Sequence, residues 1–173
     1  GNVDKYVDAL ERSLPCMRHR GPDAAGTWHD GDAAFGFNRL SIIDLEHSHQ
    51  PLRWGPEDEP DRYAMTFNGE IYNYVELREE LKGLGYTFHT EGDGEPIVVG
   101  YHHWGKDVVN HLRGMFGIVI WDTHTKTMFA ARDQFGIKPL YYATTEAGTV
   151  FASEMKCILE MAEEIGLELN LDR

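Results

Sequence analysis

Phe67-Asn68-Gly69-Glu70-Ile71-Tyr72-Asn73 is the stretch on which the reading of this chain turns. Just ahead of it, Tyr63, Met65 and Phe67 alternate apolar side chains on one face, the period of a half-buried strand. Asn73, with Glu76 three residues later, has the form of a capping box. Leu77, Leu81 and Leu84 follow at helical spacing, and Gly83 with Gly85 can stop the helix. A strand is therefore expected to end at Asn68-Gly69, directly before a capped helix. Such a junction sets a side-chain amide beside a glycine N–H. The two donors can serve one developing oxyanion, each at about 3 kcal/mol or more. Asn-Gly is also the commonest dipeptide of tight turns, and both readings stand on these residues alone.

Outward from this junction, Tyr6, Val7, Leu10 and Leu14 form one helical stripe over residues 4–14, and Pro15 disfavours its continuation. A strand is expected over residues 34–37, and helices over 95–104 and 107–112. Residues 115–121 and 127–132 flank the polar turn Asp122-Thr123-His124-Thr125-Lys126 and read as a hairpin. Residues 140–144 and 149–152 around Gly148 read as a second hairpin, and a helix is expected over 154–164. Residues 54–61, with two prolines among acids, read as an exposed turn. Strands, then helices, then strands joined by hairpins describe antiparallel sheets covered by helices, an α+β domain.

The chain has 173 residues, which suits one domain and hides roughly 70% of its extended-chain surface. Its 42% hydrophobic and 26% charged residues exclude a disordered chain. A net charge of −13 repels phosphate backbones and anionic lipids, so neither nucleic acid nor membrane is expected as a partner. Two cysteines, Cys16 and Cys157, make neither a disulfide framework nor a zinc site, and a reduced, cytoplasmic setting fits. Both read as packing thiols rather than nucleophiles.

Three further segments can carry chemistry. Arg39 leads the apolar run Leu40-Ser41-Ile42-Ile43 before Asp44; its guanidinium suits a carboxylate held bidentately, or an ion pair that ties strands together. Gly92-Asp93-Gly94-Glu95 offers an acid that can hold an ammonium or cap the helix behind it. The pairs His47/His49 and His102/His103 have no acidic or cysteine partner at metal-ligand spacing and read as ordinary histidines, so no metal is expected.

Taken together, residues 18–23 (RHRGPD), 39–44 (RLSIID), 67–73 (FNGEIYN), 132–142 (RDQFGIKPLYY) and 152–156 (ASEMK) resemble, in order and spacing, the N-terminal class-II glutamine amidotransferase domain of glutamine-dependent asparagine synthetases. The resemblance covers residue 18 to about residue 164. It implies an N-terminal-nucleophile hydrolase fold, a four-layer αββα sandwich of two antiparallel sheets between helix layers. It also implies a mechanism in which an N-terminal cysteine attacks the amide of glutamine with its own α-amine as base. Ammonia is then used by a C-terminal synthetase domain of the same polypeptide, where ATP and Mg would bind; no cofactor is implied here.

By position, Asn68 and Gly69 resemble the oxyanion donors, Arg39 the residue that grips the α-carboxylate, and Asp93 the one that holds the α-ammonium. Leu40, Ser41, Ile42, Ile43 and Glu70 resemble the backbone and wall contacts around bound glutamine. The family opens with Cys-Gly and an apolar strand, whereas Gly1-Asn2-Val3-Asp4 enters the first helix at once. Residues 1–173 are thus expected to lack that strand, the nucleophile and the synthetase domain, and to be inactive as written. Gly92 and Gly94 are expected to loosen the Asp93 loop. The alternative is a vestigial, non-catalytic domain like that of β-lactam synthetases. The oligomer is open, a homodimer included.

Overall fold

The computed structural model describes residues 3–39 and 50–168. They pack as two compact units: residues 1–40 with 139–173, and residues 41–138. Among the described residues every strand pairing is antiparallel, as the hairpin pattern requires.

The first unit opens with α1 (Asp4–Ser13) and runs on into a 3-10 helix (Leu14–Arg20). Pro15 therefore does not break the chain direction. It sits in the first turn of the 3-10 helix, where its missing N–H has no helical partner to lose. Two hairpins follow, β1 (Ala24–His29) with β2 (Ala34–Arg39), and β7 (Tyr141–Thr145) with β8 (Gly148–Ala152). Gly36 on β2 lets α1 come close, since a Cβ there would meet Leu14 Cδ2 at 2.8 Å and Leu10 Cδ1 at 3.1 Å. The unit's core joins Ala9 of α1 to Ile158, Met161 and Ile165. Arg20 donates to Glu154 at 3.1 Å, tying the arginine-rich segment of residues 18–23 to the acid of 152–156. The closing helix is shorter than expected: α4 spans Met155–Glu160. Beyond it the chain relaxes into turns, with Ala162 N–H bonding Leu159 and Gly166 N–H bonding Glu163, three residues back in each case.

The second unit is a four-stranded sheet in the order β3-β4-β5-β6: β3 (Leu52–Trp54), β4 (Tyr63–Ile71), β5 (Gly114–Asp122) and β6 (Thr127–Arg132). Trp54, expected in an exposed turn, is instead buried at the end of β3 and stacks on Tyr63 with centroids 6.2 Å apart. Helices α2 (Tyr74–Gly83) and α3 (Glu95–Trp104) supply the other half of the core. Leu77, Leu81, Ile97 and Val98 pack on Tyr63, Met65 and Ile71 of β4 and on Phe116, Ile118 and Ile120 of β5. A second 3-10 helix, Gly105–Asn110, replaces the helix expected at 107–112.

Two expectations around the deciding stretch need correction. β4 does not stop at Asn68-Gly69 but runs in register with β5 from Tyr63↔Asp122 to Ile71↔Gly114. The dipeptide is strand, not turn. Nor does Asn73 cap α2 with its side chain. Its amide instead donates to the His111 carbonyl at 2.9 Å and accepts the Arg113 N–H at 2.8 Å, bracing the chain that enters β5.

The loop after β6 is organised by one buried carboxylate. Asp133 accepts the N–H groups of Phe116 (3.2 Å), Phe135 (3.1 Å), Ile137 (2.9 Å) and Lys138 (3.0 Å). Burial by itself would push this carboxyl up, but the amides of Lys138, Ile137, Phe116 and Phe135 outweigh it and hold it below its ordinary value. A folded value below the unfolded one stabilises the fold above the unfolded pKa, and that contribution is lost as pH falls through the lower folded value. Asp133→Ala should therefore cost about 3 kcal/mol of stability at neutral pH in urea denaturation. The difference from the parent should shrink below about pH 4. A loss under about 1 kcal/mol at neutral pH would show that water serves those four amides equally well.

Candidate functional site

The site is built on the edge of β4. Backbone groups of successive strand residues point to opposite sides, so one parity faces β5 and the other faces away. Tyr72 N–H bonds the Arg113 carbonyl at 2.7 Å, which sets the even-numbered amides toward β5. The odd-numbered ones face the other edge, where β3 reaches only as far as Met65, paired with Leu52.

Side chains complete that edge. Gln50 brings its amide alongside Phe67, donating to the carbonyl at 2.7 Å and accepting the N–H at 3.2 Å. Asp93 accepts the Ile71 N–H at 2.9 Å. Gly69 lies between the two, and parity directs its N–H to the same edge, between the Gln50 amide and the Asp93 carboxylate. Side-chain alternation places Asn68 and Glu70 on the sheet face away from α2 and α3, since Met65 and Ile71 belong to the helix-packed core. Asn68 stands opposite Gly117, which has no side chain to crowd it.

Gly69 is fixed by sterics rather than by its dihedrals. A methyl group there would collide with the Met115 carbonyl oxygen and stand 2.8 Å from Phe116 Cα. The Phe67 ring lies over the same spot, with Cε2 2.9 Å away. Any larger residue would push β4 off β5 and turn the N–H from its direction.

Asp93 is half-buried at the end of a loop that leads into α3. Gly94, not Asp93, is the residue before the helix, so the capping alternative falls. The flanking glycines do not leave the loop loose. Buried Arg78 donates to the carbonyls of Thr90 (2.6 Å) and Gly92 (2.8 Å) and to Glu91 (2.9 Å). Buried Glu95 accepts the N–H groups of His89 (2.8 Å) and Thr90 (2.7 Å) and the Thr90 hydroxyl (2.8 Å). Burial raises the Asp93 pKa, the Ile71 N–H and its own N–H offset part of that, and the charge of Glu70 adds to the rise. A cation arriving at Asp93 would relieve this tension between two acids.

Arg39 is the last residue of β2, paired with Ala24, and lies in the first unit. Its side chain, and Leu40, Ser41, Ile42 and Ile43, lie outside the described residues, as do His47 and His49. Of the residues singled out in the sequence, the structure thus brings together Asn68, Gly69, Glu70 and Asp93. Gln50 and Arg78 were missed, since neither sits in a motif that marks it, and Glu95, although part of the Gly92-Asp93-Gly94-Glu95 segment, was not foreseen as the acid that holds the loop.

The remaining candidates have structural partners. His102 Nδ1 lies 3.1 Å from the Tyr63 hydroxyl, and burial lowers its pKa. His103 Nδ1 lies 3.1 Å from the Tyr86 hydroxyl. Among the described residues no His, Cys, Asp and Glu group is arranged to hold a metal ion. Nor is any described helix long and apolar enough to cross a membrane. Cys157 is buried, and burial pushes its thiol up to about 11, so it is not a thiolate at neutral pH.

Residues 1–172 match the family described as glutamine amidotransferase domain. The chain is 58% identical over 172 residues to a putative glutamine-hydrolysing asparagine synthetase of Mycobacterium tuberculosis (strain H37Rv), covering 96% of the chain and 26% of that protein. It is 47% identical over 150 residues to the glutamine-hydrolysing asparagine synthetase 1 of Bacillus subtilis, covering 87% of the chain and 23% of that protein. The chain thus spans about a quarter of the length of the curated relatives it matches. Among solved structures, glutamine phosphoribosylpyrophosphate amidotransferase from B. subtilis, in complex with ADP and GMP, shares the fold with a TM-score of 0.61. That match is at 24% identity over 75% of this chain and 29% of the other. The α+β architecture and the match over residues 1–172 agree: this chain belongs to the glutamine amidotransferase domain family.

Proposed function

We propose that the chain is the glutamine-hydrolysing domain of an asparagine synthetase, releasing ammonia for ATP-dependent amidation of aspartate in a separate domain. The observation that carries this reading is the Gly69 N–H, aimed off the edge of β4 between Gln50 and Asp93, with the Asn68 side chain one residue away. Asn68 and Gly69 donate to the oxyanion that forms as a thiol attacks the side-chain amide of glutamine. Asp93 holds the substrate ammonium, and its raised pKa makes it the residue that gains most from a cation. Arg39 grips the α-carboxylate, the backbone of Leu40, Ser41, Ile42 and Ile43 lines the substrate, and Glu70 forms a wall.

Attack followed by hydrolysis of the thioester needs a cysteine whose own α-amine can take the proton. Neither Cys16 nor Cys157 qualifies, because each is within the chain and its nitrogen is an amide. Residues 1–173 supply the cradle in this reading. ATP and Mg act only in the synthetase domain, and the setting is the cytoplasm. A vestigial domain is disfavoured by the Asp93 loop: a site without substrate has no need of a buried arginine and a buried glutamate to hold an acid in place.

Three outcomes follow in the full polypeptide that carries this domain. Asn68→Ala should lower kcat for glutamine hydrolysis by about 100-fold or more. Unchanged turnover would remove it from the oxyanion site. Arg39→Ala should raise the glutamine KM strongly while ammonia-dependent synthesis persists; equal loss of both activities would contradict its role. Because the Asp93 pKa is raised, the carboxyl protonates at a higher pH than an ordinary aspartate. The glutamine KM should therefore climb as pH falls toward that value, and Asp93→Asn should abolish this dependence. A pH profile identical in the two proteins would rule the ammonium contact out.

A further inference from the structure

Gln50 belongs to none of the segments that mark the site, yet it performs the work of a strand residue. β3 pairs with β4 through Leu52↔Met65 and goes no further along the edge. At the next edge position, Phe67, the partner is not a main chain but the Gln50 side-chain amide, which supplies one acceptor and one donor. A primary amide has the same donor and acceptor pair as a peptide group, so it extends the ladder by one rung without extending the strand.

The consequence falls on Gly69 and on the Asp93 loop together. Phe67 is held by its backbone on the Gln50 side, and its ring spreads over both glycines that matter. Cε2 is 2.9 Å from where a Gly69 Cβ would stand, and Cδ1 is 3.6 Å from where a Gly94 Cβ would stand. The peptide between Phe67 and Gly69 has little freedom left. Asp93 fixes the far side through Ile71 at 2.9 Å.

We infer that Gln50 is a positioning residue that sets the direction of the Gly69 N–H by acting as a surrogate strand partner for Phe67. This rests on the proposed role of Gly69 in oxyanion binding. Gln50 itself touches no reacting atom. Removing its amide leaves Phe67 free to rock, so the Gly69 N–H loses alignment with a charge that exists only as the tetrahedral intermediate forms. The loss should fall on kcat and leave the KM for glutamine largely alone.

The test compares Gln50→Met, which keeps length and bulk without the amide, with Gln50→Glu, which keeps the acceptor for the Phe67 N–H, and with Asn68→Ala, in the full polypeptide. The expected result for Gln50→Met is a fall in glutaminase kcat of about 10-fold or more, with the glutamine KM within about 3-fold and ammonia-dependent turnover unchanged. Gln50→Glu should recover part of the loss. Backbone amide exchange over residues 67–69 should quicken in Gln50→Met. Undiminished kcat in Gln50→Met, while Asn68→Ala is crippled, would overturn the inference, as would a change confined to KM. If Asn68→Ala keeps full activity, or the parent hydrolyses no glutamine, the oxyanion reading itself has failed. Amide exchange then still decides: unchanged rates at 67–69 overturn Gln50 as the surrogate partner, and quickened rates support it.

Discussion

The second unit depends on how closely two backbones approach one another. β4 and β5 run side by side over nine residue pairs, and at one end the approach is possible only because glycine stands on each strand. Gly69 faces the Met115 carbonyl and Phe116 Cα, while Gly114 faces the Glu70 carbonyl, with Ile71 Cα 3.0 Å from where its Cβ would be. This closeness keeps β4 straight through Asn68 and so preserves the alternation of its groups. Helix-facing Met65, Phe67 and Ile71 lock the register, because a slip by one residue would turn Asn68 and Glu70 into the core. The chemistry of the edge is thus a by-product of core packing on the opposite face.

Charge is handled differently at the two ends of this arrangement. Arg78 and Glu95 are both buried, and each is surrounded by several partners, so the cost of removing them from water is offset by hydrogen bonds to a single loop. What the loop holds in place, Asp93, is served among the described residues by backbone amides and stands near another acid, Glu70. The unit therefore partners the ions that hold the loop, apart from the buried Arg78 Nε, and leaves electrostatic tension on the one it presents. A ligand that brings positive charge gains from relieving that tension without any group having to move, which is how a preorganised site favours binding.

Much of this was legible in the sequence because periodicity reports burial. The stripe of Tyr6, Leu10 and Leu14, the leucines of α2, and the two hairpins around residues 122–126 and Gly148 all declare themselves by their spacing. β1 and β3 did not. The first, AAGTWH, is only partly buried and shows no clean alternation, and the second is three residues long. Asn68-Gly69 misled for a physical reason: the dipeptide favours turns locally, and only the crowding between β4 and β5 overrides that preference. Asn73 misled likewise, since its side chain is claimed by His111 and Arg113, partners about 40 residues away that no local pattern can reveal. The family motifs, by contrast, can now be assigned physical tasks. Arg20 and Glu154 link two of them, and Asp133 folds the loop of a third.

The division of the chain into two units has a temporal side. The unit built around the β4 edge is continuous in sequence, from residue 41 to 138, whereas the other is assembled from both ends of the chain. Its core sets Ala9 against Ile158, Met161 and Ile165, contacts between residues roughly 150 apart in sequence. On a ribosome, Leu10 and Leu14 of α1 can pack early against Gly36 of β2, but Ala9 has no α4 residue to meet until the continuous unit has had its full sequence available. Such distant contacts are the slow ones to form. The order of synthesis therefore favours completion of the β4 edge before α1 and α4 meet.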